Sequence, residues 1–253
     1  MIKEQFIRNH GILSQEEMDK LAGTAIAIAG CGCIGGFSAE LLARLGAGKI
    51  ILSDPTQFDV SNINRQCAAT HATVGQNKTL ALKEHLLAIN PGLEVSCYTE
   101  GVQMDNCEMF LEGAHYVIDA IDYFHFGDSV VLHRAARKKE LFVTTAAALG
   151  FGASVLTFAP DGMTLEAYTG LPEGCTREEL EGAVFPPSGY SRMLPAYATE
   201  EKVSSWLSEK SIPAISVGQA LGPGMLVSQM ILHILGRKQP RLVPESLQIQ
   251  FEE

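Results

Sequence analysis

No two cysteines in this chain are spaced Cys-x-x-Cys, although six are present, at 31, 33, 67, 97, 107 and 175. A four-cysteine zinc site therefore has no support, and reduced thiols in a cytoplasmic protein are the simpler expectation. Lys3 and Glu4 come early and no apolar run follows them, so no signal peptide is predicted. The most apolar long segment, Ile212 to Leu235, is broken by Gln219, Gln229, His233 and Gly222-Pro223-Gly224. A membrane span needs about 20 mostly apolar residues, so a buried helix is expected there instead. Positive charge is scarce: 19 Lys and Arg stand against 29 Asp and Glu, a formal net charge of −10. Phosphate contacts dominate nucleic-acid affinity, so no nucleic-acid partner is expected. A local basic pocket for a nucleotide stays open. Internal repeats and low-complexity tracts are also missing.

What remains is a well-buried globular composition, with 46% hydrophobic and 19% charged residues in 253, enough for one large α/β domain. Residues 1–22 read as a helical segment, with Ser14 and Glu17 placed as a capping box. Thr24 to Ala29 is a short apolar run ending in glycine, as a buried parallel strand reads. A helix over 36–46 and a strand over Lys49 to Ser53 complete a βαβ unit. Helix and strand signals then alternate: helix to Ile89, strand 93–98, short helix 105–112, strand 115–120, helix 128–139, strand 141–145. A strand from Ala153 to Phe158, with alternating apolar positions, closes a core over 23–158. Residues 159–211, rich in Pro, Gly and charge, read as an irregular crossover or lid. The final 212–253 return as a helix and an edge strand near Leu247 to Phe251. The predicted fold is α/β: a Rossmann-like, doubly wound, mostly parallel sheet forming a single domain, with a C-terminal crossover-loop and helix region.

The chemistry concentrates between Gly30 and Lys78. Gly30, Gly32 and Gly35 form Gly-x-Gly-x-x-Gly after a strand and before a helix, where backbone N–H groups approach a phosphate. Asp54 ends the next strand, 19 residues after Gly35, where ribose hydroxyls are bound in such folds. These two features fit NAD as well as ATP. Asn62, Arg65, Gln66 and Lys78 follow. Taken singly, Arg65 or Lys78 reads as a solvated surface charge. Together they supply cations that a triphosphate needs and a pyrophosphate held by backbone amides does not. Asp119 and Asp122 close an apolar strand at the edge facing the ligand crevice. Asp122 is the expected Mg²⁺ holder, with Asp119 as a turn cap. Cys175, near Arg177, is a candidate nucleophile, although nothing in the sequence pairs it with a base and a packing role is the stronger expectation.

These residues resemble the ThiF/MoeB/HesA family, relatives of the ubiquitin-activating enzymes. The likeness runs through GCGCIGG, LSD, SNINRQ, ATVGQNK, INP, VIDAID and TTAAALGFGASVLTF, over about residues 5–160, with a weaker echo in 212–236. SNINRQ with its spaced lysine is the specific part. The resemblance implies ATP-dependent adenylation of the C-terminal carboxylate of a ubiquitin-like or sulfur-carrier protein. It gives Asp54 the ribose, Asn62, Arg65 and Lys78 the phosphates, with Gln66 in the same motif, and Asp122 the Mg²⁺. It matches Arg8 to an arginine that reaches a partner subunit's ATP, which implies a homodimer. Thr56 stands where a second Asp is usual, Tyr123 where an Asn is usual, and Gly127 where an arginine is usual. The paired cysteines that hold zinc in many relatives are missing, so no zinc is predicted there. Two other readings stay open: a non-catalytic partner subunit, and an NAD-dependent oxidoreductase.

Overall fold

The computed structural model describes residues 4–180, 189 and 194–252. Seven strands form one sheet in the order β3-β2-β1-β4-β5-β6-β7. They are β1 (Ala25–Ala29), β2 (Lys49–Ser53), β3 (Glu94–Tyr98), β4 (Tyr116–Asp119), β5 (Val143–Leu149), β6 (Gly152–Phe158) and β7 (Leu247–Ile249). The first five run parallel, and β6 and β7 each pair antiparallel with their neighbour. The helices are α1 (Gln15–Ala22), α2 (Cys33–Leu45), α3 (Lys78–Ile89), α4 (Cys107–Phe110), α5 (Phe126–Lys138), α6 (Leu165–Thr169), α7 (Arg177–Leu180), α8 (Glu200–Ser208) and α9 (Ser216–Ile234). The predicted α/β class, the βαβ start and the edge strand are all present.

Alternation within the strands builds two cores. Ile26 and Ile28 face a cluster with Leu42 of α2, Leu82 of α3 and Leu226 of α9. Ala27 and Ala29 face the other, with Phe110 of α4, Val130 of α5 and Leu165 of α6. The chain order reverses between β1 and β4, so the crevice outside their C-terminal ends is the switch point where doubly wound sheets bind ligands.

Two expectations change in detail. β6 is buried along its whole length, because α9 covers one face while the second core covers the other; it does not alternate. The irregular stretch carries short helices, α6, α7 and α8, among its described residues. The buried helix expected between Ile212 and Leu235 is present as α9, which runs through Pro223. Small residues there permit close approach: a Cβ on Gly218 would lie 2.2 Å from the Gly150 carbonyl oxygen. Among the described residues no helix is long and apolar enough to cross a membrane.

The start of α1 is fastened to the rest of the fold through Glu17. The Ser14–Glu17 capping box forms as predicted, and Glu17 also pairs with Arg237 beyond the end of α9. The hydrogen bond from Arg237 is the main cause that holds the Glu17 carboxyl at about 2 instead of 4.5. The folded state therefore binds this proton less readily than the unfolded chain. The pair's contribution is fully present above about pH 4.5 and fades as pH falls toward 2. Arg237→Ala should lower the melting temperature at pH 7, and the gap to the parent should close on acidification. A gap that stays constant down to pH 2 would remove the pair from the account.

Candidate functional site

The turn between β1 and α2 is built by close backbone approach. Gly30 has φ +94°, and a Cβ there would lie 2.0 Å from the Ala120 carbonyl oxygen. A Cβ on Gly35 would lie 1.8 Å from the Gly30 carbonyl oxygen. Gly32 is different: it has φ −78° as the residue preceding α2, and a Cβ there would lie 3.7 Å from the Gln66 amide nitrogen. Gly30 and Gly35 thus set the turn by close backbone approach, while the Cβ side of Gly32 meets only the Gln66 amide at ordinary contact distance. The N-terminus of α2 receives no side-chain cap, which leaves its first N–H groups free for an anion.

Asp54 is buried and organises this turn. One carboxylate oxygen accepts from the Cys31 N–H at 2.7 Å. The other accepts from the Thr56 N–H at 2.8 Å and its hydroxyl at 2.6 Å. Thr56, at the position where the resemblance expects a second acid, is therefore a donor that braces the first. A carboxylate has about four lone-pair sites, so one acceptor position remains for a ribose hydroxyl.

The segment after β2 delivers the cations. Asp59 and Asn62 form a reciprocal cap over the short 3-10 turn Val60–Asn62. The Arg65 and Gln66 N–H groups both bond back to the Asn62 carbonyl, at 3.0 and 2.9 Å. The Asn62 side-chain oxygen is spent on the Asp59 N–H, so Asn62 shapes the loop. Arg65 donates to the Ser61 carbonyl at 2.7 Å and to the Asn64 side chain at 2.8 Å. Lys78 opens α3 behind the Asn77 cap, with its ammonium 5.9 Å from the Phe58 ring centre, within cation–π range. Both cations act on one atom: burial raises the Cys33 thiol above its ordinary value, and the Arg65 charge and hydrogen bond, then Lys78, oppose that rise. Cys33 is the first residue of α2. The charges of Arg65 and Lys78 are thus both felt at the anion-accepting end of that helix. Gln66, also buried, lies against Gly32, and its Oε1 has no hydrogen-bond partner.

Of the two acids at the end of β4, Asp119 accepts from the Ile121 N–H at 3.2 Å, the turn cap expected of it. Asp122 is the exposed one and caps the next turn by accepting from the Phe124 N–H at 3.0 Å. Asp119 is buried, with Ser129 at 3.2 Å and His133 at 3.1 Å. Ser129 and His133 stand one turn apart on α5, so their i, i+4 spacing was a readable signal for this anchor. Tyr123 lines a small apolar cleft of 70 Å³ with Ala148, Leu194, Trp206 and Leu207. Aromatic packing against α8 thus occupies the position where an Asn was expected.

Cys175 is buried in the second core, on the sheet face away from α2. Its sulfur receives a hydrogen bond from Arg134 at 3.4 Å and its carbonyl another at 2.9 Å. Arg134 also pairs with the buried Glu166 at 2.7 Å. Sequence reasoning missed Arg134, which fastens the crossover region to α5. Arg8 is exposed in the 3-10 segment Glu4–Asn9, which leans on the C-terminal end of α2 through Phe6 at Gly46 and Asn9 at Leu45.

A doubly wound α/β protein with an uncapped helix N-terminus, two cations whose charges reach it and a buried acid beside the turn defines a nucleotide-binding class. The ThiF family model matches residues 6–252, and the chain belongs to that family. It is 40% identical over 119 residues to the tRNA threonylcarbamoyladenosine dehydratase of Bacillus subtilis (strain 168), covering 47% of each chain. It is 32% identical over 149 residues to the protein of the same name from Escherichia coli (strain K12), covering 58% of this chain and 55% of that one. The chain spans about half the length of these curated relatives. Among solved structures, E. coli MccB with ATP superposes with a TM-score of 0.70 at 19% identity, covering 98% of this chain and 68% of that one. E. coli tRNA N6-threonylcarbamoyladenosine dehydratase, TcdA, gives 0.68 at 21%, covering 92% and 95%. At these identities the superpositions show the shared fold.

Proposed function

We propose that this chain binds ATP with Mg²⁺ and adenylates a carboxylate. The observation that carries the reading is the glycine turn held by Asp54 at the uncapped start of α2, followed by Arg65 on the next loop and Lys78 at the start of α3. A carboxylate oxygen attacks the α-phosphorus, the bond from that phosphorus to the bridging oxygen breaks, and pyrophosphate leaves. The chemistry needs alignment and charge stabilisation more than covalent help. Arg65, Lys78 and the α2 N–H groups take the growing negative charge, and Asp54 orients the ribose. Gln66, with an orphaned buried oxygen facing the turn, is positioned to take a donor from the nucleotide. Asp122, exposed at the crevice edge, would hold Mg²⁺, which keeps most of its waters and needs one or two carboxylates plus phosphates. A nicotinamide enzyme would leave Arg65 and Lys78 without a task.

Arg8 completes the site in trans in this reading. It sits at the far end of α2, a helix of 13 residues and thus about 20 Å long, away from its own glycine turn. An arginine so placed serves a second copy's nucleotide more readily than its own, which supports a homodimer. The carboxylate we favour is the C-terminus of a small carrier protein or peptide, because a net charge of −10 opposes a polyanionic partner. A tRNA-borne carboxylate is the second reading, favoured by the name shared by the two curated relatives described above.

ATP–pyrophosphate exchange tests this directly, with Mg²⁺ and two sets of acceptors: small proteins ending in Gly-Gly, and tRNA carrying threonylcarbamoyladenosine. Exchange with one set establishes adenylation and names the acceptor class. ATP binding without exchange in either set would instead favour a non-catalytic partner subunit. Asp122→Ala should abolish exchange and leave the melting temperature near that of the parent. Full activity in that variant removes the Mg²⁺ role.

A further inference from the structure

Behind the phosphate-binding turn, Glu40 of α2, His85 of α3 and Cys67 of the intervening loop bring one ligand atom each within 4.8 Å of one another. Among the described residues this is the one such group of three. From it we infer a site for a borderline-soft divalent cation of the zinc type. It is separate from the four-cysteine site that the cysteine spacing excludes and from the Mg²⁺ at the nucleotide.

The donor set selects the metal. A thiolate and an imidazole suit Zn²⁺ and disfavour Mg²⁺ or Ca²⁺, which take oxygen. A tetrahedral sphere with bonds of about 2.0–2.3 Å spaces its donors roughly 3.3–3.7 Å apart, by the same bond lengths. The His85 Nε2 and Glu40 Oε2 atoms now stand 2.8 Å apart. They part by about half an ångström to admit the ion, and the sulfur, within 4.8 Å of both, closes by at most about one. The charges match: Glu40 and a Cys67 thiolate supply two negative charges to a dication, and the thiol proton leaves to solvent as the metal–sulfur bond forms.

Two further features prepare the site. Arg44 holds the other Glu40 oxygen at 2.8 Å, so one oxygen is oriented and the second is presented, the outer-shell pattern of metal-bound carboxylates. Gly36 leaves room for the sulfur, since a Cβ there would lie 3.1 Å from Cys67 Sγ. His85 is 33% and Glu40 19% exposed at the side chain, which gives an ion a path in and leaves a fourth position for water. Cys67 directly follows Gln66, so the ion would clamp α2, α3 and the arginine loop together.

Co²⁺ titration of the metal-stripped full chain tests this. The expected result is one equivalent bound, with a near-ultraviolet thiolate-to-cobalt charge-transfer band that Zn²⁺ bleaches and Mg²⁺ does not. Cys67→Ser should lose the band, and His85→Ala should weaken binding at least tenfold while ATP binding survives. A band that persists in Cys67→Ser, or no band in the parent, overturns the site and leaves Glu40–His85 as an ion pair between helices. Because cobalt is read without turnover, failure here does not touch the adenylation reading, and failure of adenylation does not touch this site.

Discussion

Arg65→Ala will slow ATP–pyrophosphate exchange by about 10²–10³-fold, the loss seen when one preorganised charge-stabilising donor is removed from a transition state. Arg65 is half-buried and makes its present bonds to a loop carbonyl and to Asn64. Those are local bonds that water can replace, so the melting temperature should barely change. The charge matters because α2 offers N–H groups but no side chain at its start. As the carboxylate attacks, negative charge builds on the phosphate oxygens, and a helix end alone contributes little more than about half a unit charge. Arg65→Lys restores the charge without the planar fork. It should recover part of the rate and leave the apparent ATP affinity closer to the parent than alanine does. An alanine variant within threefold of the parent would remove Arg65 from the chemistry.

Much of the fold was legible because its signals are local. The run from Ala25 to Ala29 reads as a buried strand by composition, and Gly46 closes α2 with a left-handed φ of +93°, as a helix-ending glycine does. Asn77 ahead of Lys78 announces α3 in the same way. The site was legible in its residue types and less so in their division of labour. Thr56 looked like a missing acid, and only the fold brings its hydroxyl to Asp54. Asp119 and Asp122 are three residues apart, and which one is buried depends on how β4 meets Ser129 and His133 of α5. Burial along β6 depends on α9, which starts 58 positions after β6 ends, so no window around β6 contains the reason. Cys67, His85 and Glu40 are separated by 18 to 45 residues and share no motif; only the packing of α3 on α2 joins them.

The three glycines of the turn should separate stability from binding. A Cβ at Gly35 would stand 1.8 Å from a backbone oxygen and 3.1 Å from the Ile28 side chain. No rotamer relieves a clash with backbone, so the start of α2 must lift off β1, and the apolar contacts of both move with it. The cost exceeds ordinary overpacking and should pass about 3 kcal/mol. For a chain of this size that lowers the melting temperature by about 6–12 °C, and ATP binding falls with it because the N–H groups of α2 are displaced. Gly32→Ala meets nothing closer than 3.7 Å at a φ of −78°, so the fold should survive. Its methyl group would nonetheless stand on the face where backbone approaches phosphate, the role of the second glycine in such turns. The expected pattern is a near-parental melting curve for Gly32→Ala with ATP affinity at least tenfold weaker, against a damaged melting curve for Gly35→Ala. Parental ATP affinity in Gly32→Ala would move the phosphates away from this turn, and the reach of the Arg65 and Lys78 charges to Cys33 would then need another anion to explain it.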